Sequence, residues 1–333
     1  MRVGVDTGGT FTDVVTDDGR ITKVLSTPVD HGRAVRDGVA EVATGVRPSV
    51  LGHGTTVATN ALLEGTGAPV ALVTNEGLAD VIEIARQDRP SLYNTRVVRP
   101  EPLVPRGWRL GVPGRLGPDG RELEPVGAPP PIPPEAAAVA ICLLHADLSP
   151  VHEQAVADAL RAAGHDVTCS HEVSPEMREV ERTVTTVVNA TLRPRCRAYL
   201  RGIADVADEV LVMSSAGGLL PLAEAAELPA ALLLSGPAGG VRAGAAAAVA
   251  NGFPDAVTFD MGGTSTDVCL VLGGEPAPAA QRAVGGHTVR FPSLDIHTIG
   301  AGGGSIAGLD AGGALVVGPR SAGADPGPAG YGR

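Results

Sequence analysis

The amino-acid sequence predicts an α/β protein built from two similar lobes, and three observations lead to this prediction. The octapeptide Asp6–Asp13 (DTGGTFTD) returns as Asp260–Asp267 (DMGGTSTD) with six of eight residues identical. Short apolar runs typical of β-strands flank both copies. Strand-like and helix-like segments then alternate along most of the chain, which is the pattern of α/β folds.

Each octapeptide is predicted to form the tip of a β-hairpin. Val3-Gly4-Val5 precedes the first copy and Val257-Thr258-Phe259 precedes the second. Paired glycines let the backbone approach a ligand, and exposed N–H groups with threonine hydroxyls suit phosphate oxygens. The alternative is a pair of ordinary Gly-Gly turns, which would require neither the Asp nor the Thr residues. The residues expected around the phosphates are Gly8, Gly9, Thr10, Thr12, Gly262, Gly263, Thr264 and Thr266.

Four carboxylates bracket the two tips. Asp6 and Asp260 are candidates for orienting a hydrated Mg²⁺ beside the phosphates, and hence for a part in catalysis. Asp13 and Asp267 close each repeat. Either they contribute to the same phosphate site, or they only fasten the hairpin by accepting hydrogen bonds from backbone N–H groups.

The other elements are predicted from periodicity, caps and chain breakers. A helix over 30–44 ends at Gly45, because glycine commonly terminates helices in the left-handed conformation. Between residues 175 and 207, Pro194 is expected to divide two consecutive helices. The remaining predictions are a helix over 57–63, a strand over 69–74, a helix over 78–85, a strand over 138–144, a helix over 150–163, strands over 166–169 and 209–213, and a turn over 235–240 followed by a helix to 250.

Composition restricts the function classes. Of 333 residues, 44% are hydrophobic but only 2% are aromatic, so Ala, Val and Leu must build the cores. A formal net charge of −11 argues against a nucleic-acid surface and favours a small-molecule or protein partner. The four cysteines are isolated, which indicates neither a disulfide framework nor a zinc site and suggests the cytoplasm. No membrane span or signal peptide is predicted.

Three further residues are weaker candidates for catalysis. His53 lies in a glycine-flanked turn before a helix, where it either approaches a substrate or is a buried structural histidine. Asp295 and His297 alternate on a short strand and therefore face the same side, where they could hold a metal, relay a proton or simply form a hydrogen bond. Gly302 and Gly303 belong to a glycine run that is either a third ligand-contacting loop or a flexible connector.

These motifs together resemble the A-type subunit of the hydantoinase and 5-oxoprolinase family, within the actin, Hsp70 and sugar-kinase superfamily. The matching segments cover nearly the whole chain in the family's order and include VGVDTGGTFTD, GHGTTVATNALLE, LLLSGPAGGVRAG and TFDMGGTSTDV. The resemblance implies two actin-like (ribonuclease H-like) lobes, over residues 1–175 and 176–333, with a nucleotide cleft between them. It further implies an ATP- and Mg²⁺-dependent subunit that phosphorylates the carbonyl oxygen of a cyclic amide or imide, so that water can open the ring with the help of a B-type subunit.

The sequence also departs from the family pattern. Gly330 stands where the family usually carries cysteine, Gly308 stands where an aromatic residue is common, and the tail expected to hold the adenosine is not recognisable. Two alternatives therefore stay open: an inactive, truncated homologue that acts as a binding remnant, or a self-sufficient small-molecule kinase of the same superfamily.

Overall fold

The computed structural model is a mixed α/β structure. It describes residues 1–8, 11–27, 30–87, 91–94, 96–97, 101–263, 265–323, 327, 329 and 332, and the backbone but not the side chain of residue 31. Gly9, Thr10, Thr264 and Gly330 therefore lie outside the described residues. Within the described part, no helix is long and apolar enough to cross a membrane. All four cysteines are buried free thiols.

The described elements alternate along the chain as follows. The helices are α1 (His31–Ala43), α2 (Val57–Leu63), α3 (Val81–Ile84), α4 (Val151–Ala162), α5 (Ser170–Val173), α6 (Glu179–Arg201), α7 (Leu222–Glu227) and α8 (Ser235–Ala250), with 3₁₀ turns at Arg106–Trp108 and Pro229–Leu232. The strands are β1 (Arg2–Thr7), β2 (Phe11–Thr16), β3 (Ile21–Leu25), β4 (Val50–Thr55), β5 (Val70–Asn75), β6 (Arg109–Val112), β7 (Arg115–Leu116), β8 (Glu122–Glu124), β9 (Ala138–Ile141), β10 (Val167–Cys169), β11 (Glu209–Met213), β12 (Leu219–Pro221), β13 (Ala256–Met261), β14 (Thr266–Leu272), β15 (Glu275–Pro276), β16 (Pro278–Ala279), β17 (Arg282–Val284), β18 (His287–Val289), β19 (Ser293–Leu294), β20 (Ile296–Ile299), β21 (Ser305–Leu309) and β22 (Leu315–Ser321).

The first sheet has the strand order β12-β11-β4-β1-β2-β3. Strands β1, β2 and β3 form an antiparallel meander, while β4 joins β1 in parallel and β11 joins β4 in parallel. Because β4 and β11 stand far apart in sequence, this sheet takes strands from both sides of the boundary expected at residues 175 and 176. That division into two domains stays a prediction.

A second, four-stranded sheet is inserted between α2 and α6, with the order β10-β9-β5-β6 and all strands parallel. Helix α6 lies between the two sheets. Its Leu192 and Leu200 pack into the core of the first sheet, whereas Val187 and Ala190 pack into the core beneath β5 and β9. Helix α6 thus joins both sheets through a shared apolar interior.

A third sheet repeats the start of the first. Strand β13 pairs antiparallel with β14, and β14 pairs antiparallel with β20. These three strands correspond to β1, β2 and β3, so the repeated octapeptide marks a repeat of three strands. Helix α8 contacts β4 and β11 of the first sheet and β13 of the third.

Two helix predictions were wrong in instructive ways. Helix α6 runs unbroken through Pro194, and nearby the Thr191 carbonyl accepts a hydrogen bond from the Ala68 N–H, 2.8 Å away, outside the helix. The segment 235–240, predicted as a turn, is the beginning of α8. Pro237 is compatible with this helix because the first-turn N–H groups need no partner within the helix.

The third sheet has one bare apolar face. On β1, Val3, Val5 and Thr7 are 3%, 4% and 1% exposed because helices cover them. Their counterparts on β13 are Val257, Phe259 and Met261, which are 62%, 63% and 57% exposed. The equivalent face of the third sheet is therefore open to solvent.

Candidate functional site

Both octapeptides form hairpin tips closed by the same hydrogen bond. In the first, the Gly8 N–H donates to the Phe11 carbonyl at 3.0 Å. In the second, the Gly262 N–H donates to the Ser265 carbonyl at 2.9 Å. The strand–turn–strand geometry expected from the repeat is present twice. Contacts of Gly9, Thr10 and Thr264 lie outside the described residues, so their phosphate role stays a prediction.

The end of the third strand anchors each tip. The Ser26 hydroxyl follows β3, donates to the Gly8 carbonyl at 2.8 Å and lies 3.0 Å from the Thr12 hydroxyl. In the second unit, the Gly303 N–H donates to the Gly262 carbonyl at 2.9 Å. These anchors were not anticipated from the sequence, because one uses a side chain and the other uses the backbone.

Several predicted phosphate ligands already have partners within the protein. Thr266 is buried and donates to the Ala301 carbonyl at 2.6 Å, as the buried Thr12 pairs with Ser26. The Gly302 N–H donates to the Ser305 hydroxyl at 2.8 Å. The glycine run therefore packs against the second tip, and a direct ligand contact by Thr12, Thr266, Gly302 or Gly303 stays a prediction.

The Asp13 and Asp267 carboxylates each interact with a side chain on the neighbouring strand, β3 or β20. Asp13 lies 3.1 Å from Nζ of Lys23 on β3. Asp267 accepts a hydrogen bond from the Thr298 hydroxyl on β20 at 2.6 Å. Both carboxylates thus fasten their hairpins, although through side chains and not through the backbone N–H groups expected.

The Asp6 carboxylate is held in a crowded position at the end of β1. A Cβ atom at Gly54 would lie only 2.8 Å from Oδ1 of Asp6, so a side chain there would displace the carboxylate. Asp6 keeps contact with solvent, yet the surrounding protein partly desolvates it. This desolvation, together with the negative charge of Asp13 on the adjacent strand, raises the pKa of Asp6.

Helix α8 brings the two hairpins to one place. A Cβ atom on Gly236 would lie 4.0 Å from Oδ1 of Asp6, and one on Gly240 would lie 3.6 Å from Oδ2 of Asp260. Residues four apart occupy adjacent turns of one helix face, about 6 Å apart along the axis. Asp6 and Asp260 therefore lie against successive turns of the same helix face.

The His53 side chain is fully buried. It lies on β4 between Gly52 and Gly54 and is 0% exposed, and its Nε2 atom is 2.6 Å from the hydroxyl of Tyr199 on α6. Burial lowers the pKa of His53 to about 4, so the imidazole is neutral at physiological pH. This is the geometry of a structural histidine, and a catalytic role stays a prediction.

Asp295 and His297 share one face, with His297 Nε2 3.6 Å from Asp295 Oδ2. In the strand register, Asp260 lies opposite Asp267, and Asp267 lies opposite Thr298. These three side chains therefore share the face toward α8. His297 is next to Thr298 and therefore points to the opposite face. The structure separates the pair from Asp260 by the thickness of the sheet.

A second polar cluster could in principle hold a metal, since ligand atoms of Glu153, Cys169 and His171 lie within 4.8 Å of one another. However, the buried Glu153 carboxylate already accepts hydrogen bonds from the Leu143 and His171 N–H groups, the Ser170 hydroxyl and Nδ1 of His171. Desolvation raises the pKa of the Cys169 thiol, which disfavours the thiolate that a metal needs. This cluster ties α4 to the start of α5.

A cavity of about 510 Å³ lies near β10, apart from the hairpins. Three arginines line it, and each has a carboxylate partner: Arg161 pairs with Glu172, Arg193 with Asp166, and Arg197 with Glu227. These ion pairs leave none of the three guanidinium groups without a carboxylate, so the hairpin tips remain the better candidate site.

Comparison with known proteins identifies the family of the chain. The hydantoinase/oxoprolinase N-terminal region model matches residues 2–164, and the hydantoinase/oxoprolinase model matches residues 182–333. Caprolactamase subunit alpha of Pseudomonas jessenii is 38% identical over 369 residues, covering 100% of this chain and 52% of that protein. 5-Oxoprolinase 1 of Arabidopsis thaliana is 33% identical over 386 residues, covering 99% of this chain and 30% of that protein.

Two solved structures have a similar fold. The crystal structure of the ATP-dependent caprolactamase from Pseudomonas jessenii superimposes with a TM-score of 0.86 at 35% identity, covering 100% of this chain and 52% of that chain. Nucleotide-free acetone carboxylase superimposes with a TM-score of 0.77 at 26% identity, covering 97% of this chain and 51% of that chain. The chain spans about half the length of the caprolactamase it matches. From its motifs, its fold and these matches, the chain belongs to the hydantoinase/oxoprolinase family.

Proposed function

We propose that this chain is an ATP-dependent subunit that activates the carbonyl oxygen of a cyclic amide or imide, of the hydantoin or 5-oxoproline type, for hydrolytic ring opening. The observation that carries the proposal is that the carboxylates of Asp6 and Asp260, from two equivalent hairpins, lie against successive turns of α8. The first sheet and the third sheet, which share an arrangement of three antiparallel strands, would form two actin-like lobes with the nucleotide between them. Relatives named caprolactamase and 5-oxoprolinase support the substrate class.

The residues fit a magnesium nucleotide at this place. Partial desolvation by the surrounding protein and the charge of Asp13 both raise the pKa of Asp6, so its negative charge is disfavoured and a divalent cation would relieve that cost. Apart from chain neighbours, no atom of the described residues lies within 4 Å of a Cβ position at Gly263, so a phosphate could approach this side of the second tip. We propose that Asp6 and Asp260 orient Mg²⁺ and that the tips bind the phosphates.

The chemistry explains why ATP is needed. An unstrained amide carbonyl is a poor electrophile, and transfer of the terminal phosphoryl group to its oxygen releases ADP and turns that oxygen into a leaving group. Water then adds to the activated carbon, the ring C–N bond breaks as the nitrogen takes a proton, and the acyl phosphate that results reacts with a second water to release phosphate and the carboxylate. Within this chain, the two hairpins position the phosphates and the two carboxylates offset charge during transfer. We propose that a B-type subunit supplies the hydrolytic step.

The test is an ATP-hydrolysis assay of the chain with a panel of hydantoins, caprolactam and 5-oxoproline, with and without a B-type subunit. We expect cyclic-amide-stimulated turnover that requires the partner. Stimulation without the partner by a compound that is phosphorylated but not opened would favour the self-sufficient kinase. Absence of Mg-ATP binding by calorimetry under all these conditions would favour the inactive homologue.

A role of Asp295 and His297 toward the substrate stays a prediction, and His297→Ala tests it. If the pair serves the substrate, amide-stimulated turnover falls while basal ATP hydrolysis is retained, because His297 lies on the sheet face opposite Asp260. Steady-state rates with and without cyclic amide make the comparison. Equal loss of both activities would assign the pair to the structure of the sheet.

A further inference from the structure

A buried polar group lies directly beneath the first hairpin. His53 Nε2 and the Tyr199 hydroxyl are 2.6 Å apart, and the two rings pack with centroids 5.7 Å apart at a tilt of 54°. Thr7 and Thr55 lie opposite each other in the register of β1 and β4, on the covered face that His53 also occupies. Among the described residues, the buried Thr7 Oγ1 makes no hydrogen bond of standard geometry. Against the larger effect of desolvation, interaction with the hydroxyls of Thr7 and Thr55 lowers the pKa of Tyr199, which places the Tyr199 hydroxyl beside both threonines.

This group connects to both parts of the candidate site. Thr7 immediately precedes Gly8, and its carbonyl accepts hydrogen bonds from the N–H and the hydroxyl of Thr56 at 3.1 and 3.2 Å. The Thr55 carbonyl accepts a hydrogen bond from the Ser235 hydroxyl at 3.1 Å, where α8 begins. One phenol hydroxyl on α6 thus lies beside the paired ends of β1 and β4, which lead to the first tip and to the start of α8.

The group is uncharged. Desolvation lowers the pKa of His53 to about 4 and raises the pKa of Tyr199 to about 12. A neutral His53–Tyr199 pair beneath the proposed phosphate site adds no negative charge that would repel the nucleotide. Its contribution is therefore to position the neighbouring backbone.

We propose that Tyr199 is a positioning residue. Its hydroxyl, held by His53, fixes the side chains of Thr7 and Thr55 and thereby the positions of the Gly8 turn and the Asp6 carboxylate. This inference deepens the proposed function and rests on it for the nucleotide part alone. The effect on the hairpin itself is independent of any ligand.

The test uses Tyr199→Phe, which removes the hydroxyl and keeps the ring in the core, with Tyr93→Phe as the matched control, because Tyr93 is 97% exposed. Amide hydrogen exchange is measured at Gly8 and at Gly262, which make the same turn hydrogen bond in the two units. We expect about tenfold faster exchange at Gly8 in Tyr199→Phe and no change at Gly262, since only the first tip rests on Tyr199. Equal acceleration at both glycines, or none at Gly8, would overturn the proposal.

Calorimetry of the same variants with Mg-ATP separates the two hypotheses. We expect about tenfold weaker binding by Tyr199→Phe and unchanged binding by Tyr93→Phe. Selective exchange at Gly8 in a protein that never binds Mg-ATP would reject the proposed function and keep the positioning role. Wild-type affinity in Tyr199→Phe would reject the effect on the nucleotide.

Discussion

Replacing either Asp6 or Asp260 by Asn is expected to lower Mg²⁺-dependent ATP hydrolysis by about 10²–10³-fold while leaving the fold intact. Asn preserves the shape of the side chain and removes its charge, so the metal would lose a ligand of the hard, anionic kind that Mg²⁺ prefers. At position 6 the change also removes repulsion with Asp13, so stability should not fall. Turnover is measured with the partner subunit and a stimulating cyclic amide, and circular dichroism monitors the fold.

Asp158→Asn is the matched control, because it removes an exposed carboxylate on α4, away from both hairpins. Its turnover should equal that of the wild type. A wild-type rate in either Asp6→Asn or Asp260→Asn would show that this carboxylate does not orient the metal. Loss in only one of the two would assign the metal to a single hairpin.

The second large effect concerns acid. The protein is expected to lose about 3 kcal/mol of folding free energy between pH 6.5 and about pH 4 through His53 alone. Burial lowers the pKa of His53 in the folded state, while the unfolded chain keeps the ordinary value of 6.5. Below pH 6.5 the unfolded state therefore binds a proton that the folded state does not bind. The free energy of unfolding falls until the pH reaches the folded-state pKa.

Urea unfolding between pH 7 and pH 4 measures this loss. His53→Gln should flatten the pH dependence relative to the wild type, because glutamine offers an amide to Tyr199 and binds no proton. His297→Gln is the control, since the His297 side chain is 77% exposed, and its profile should follow the wild type. An NMR titration of the His53 ring in the wild type gives the same answer should His53→Gln not fold, and a ring that titrates near pH 6.5 contradicts the prediction.

The elements predicted most accurately are those specified by local sequence. Helix α2 covers residues 57–63 as expected, and helix α1 begins after Asp30, whose side chain accepts a hydrogen bond from the Arg33 N–H at 3.1 Å. The two hairpins followed from their Gly-Gly tips. In each case a cap or turn residue fixes the structure within a few positions.

The misplaced elements depend on contacts distant in sequence. Pro194 was expected to end a helix, but α6 is clamped between two apolar cores that favour its continuation. His53 was expected in a turn because of its neighbouring glycines. The alternation of Leu51, His53 and Thr55 along β4 instead places all three on the covered side of the sheet.

Within the candidate site, the sequence could identify the carboxylates but not their surroundings. The spacing of Gly236, Gly240 and Gly244 at intervals of four is visible in the sequence, yet only the fold shows which side chains lie against them. The raised pKa of Asp6 likewise depends on its position beside Gly54 and Asp13. Such effects arise from packing between strands that are neighbours in space and not in the chain.

The bare face of the third sheet has a consequence for the behaviour of the protein in solution. Val257, Phe259 and Met261 form one apolar row, and two molecules that meet along such rows remove apolar area from water at about 25 cal/mol per Å². Association along this surface should therefore weaken when polar residues replace Val257, Phe259 or Met261 on β13. Ligand titrations at high protein concentration would report this association together with binding.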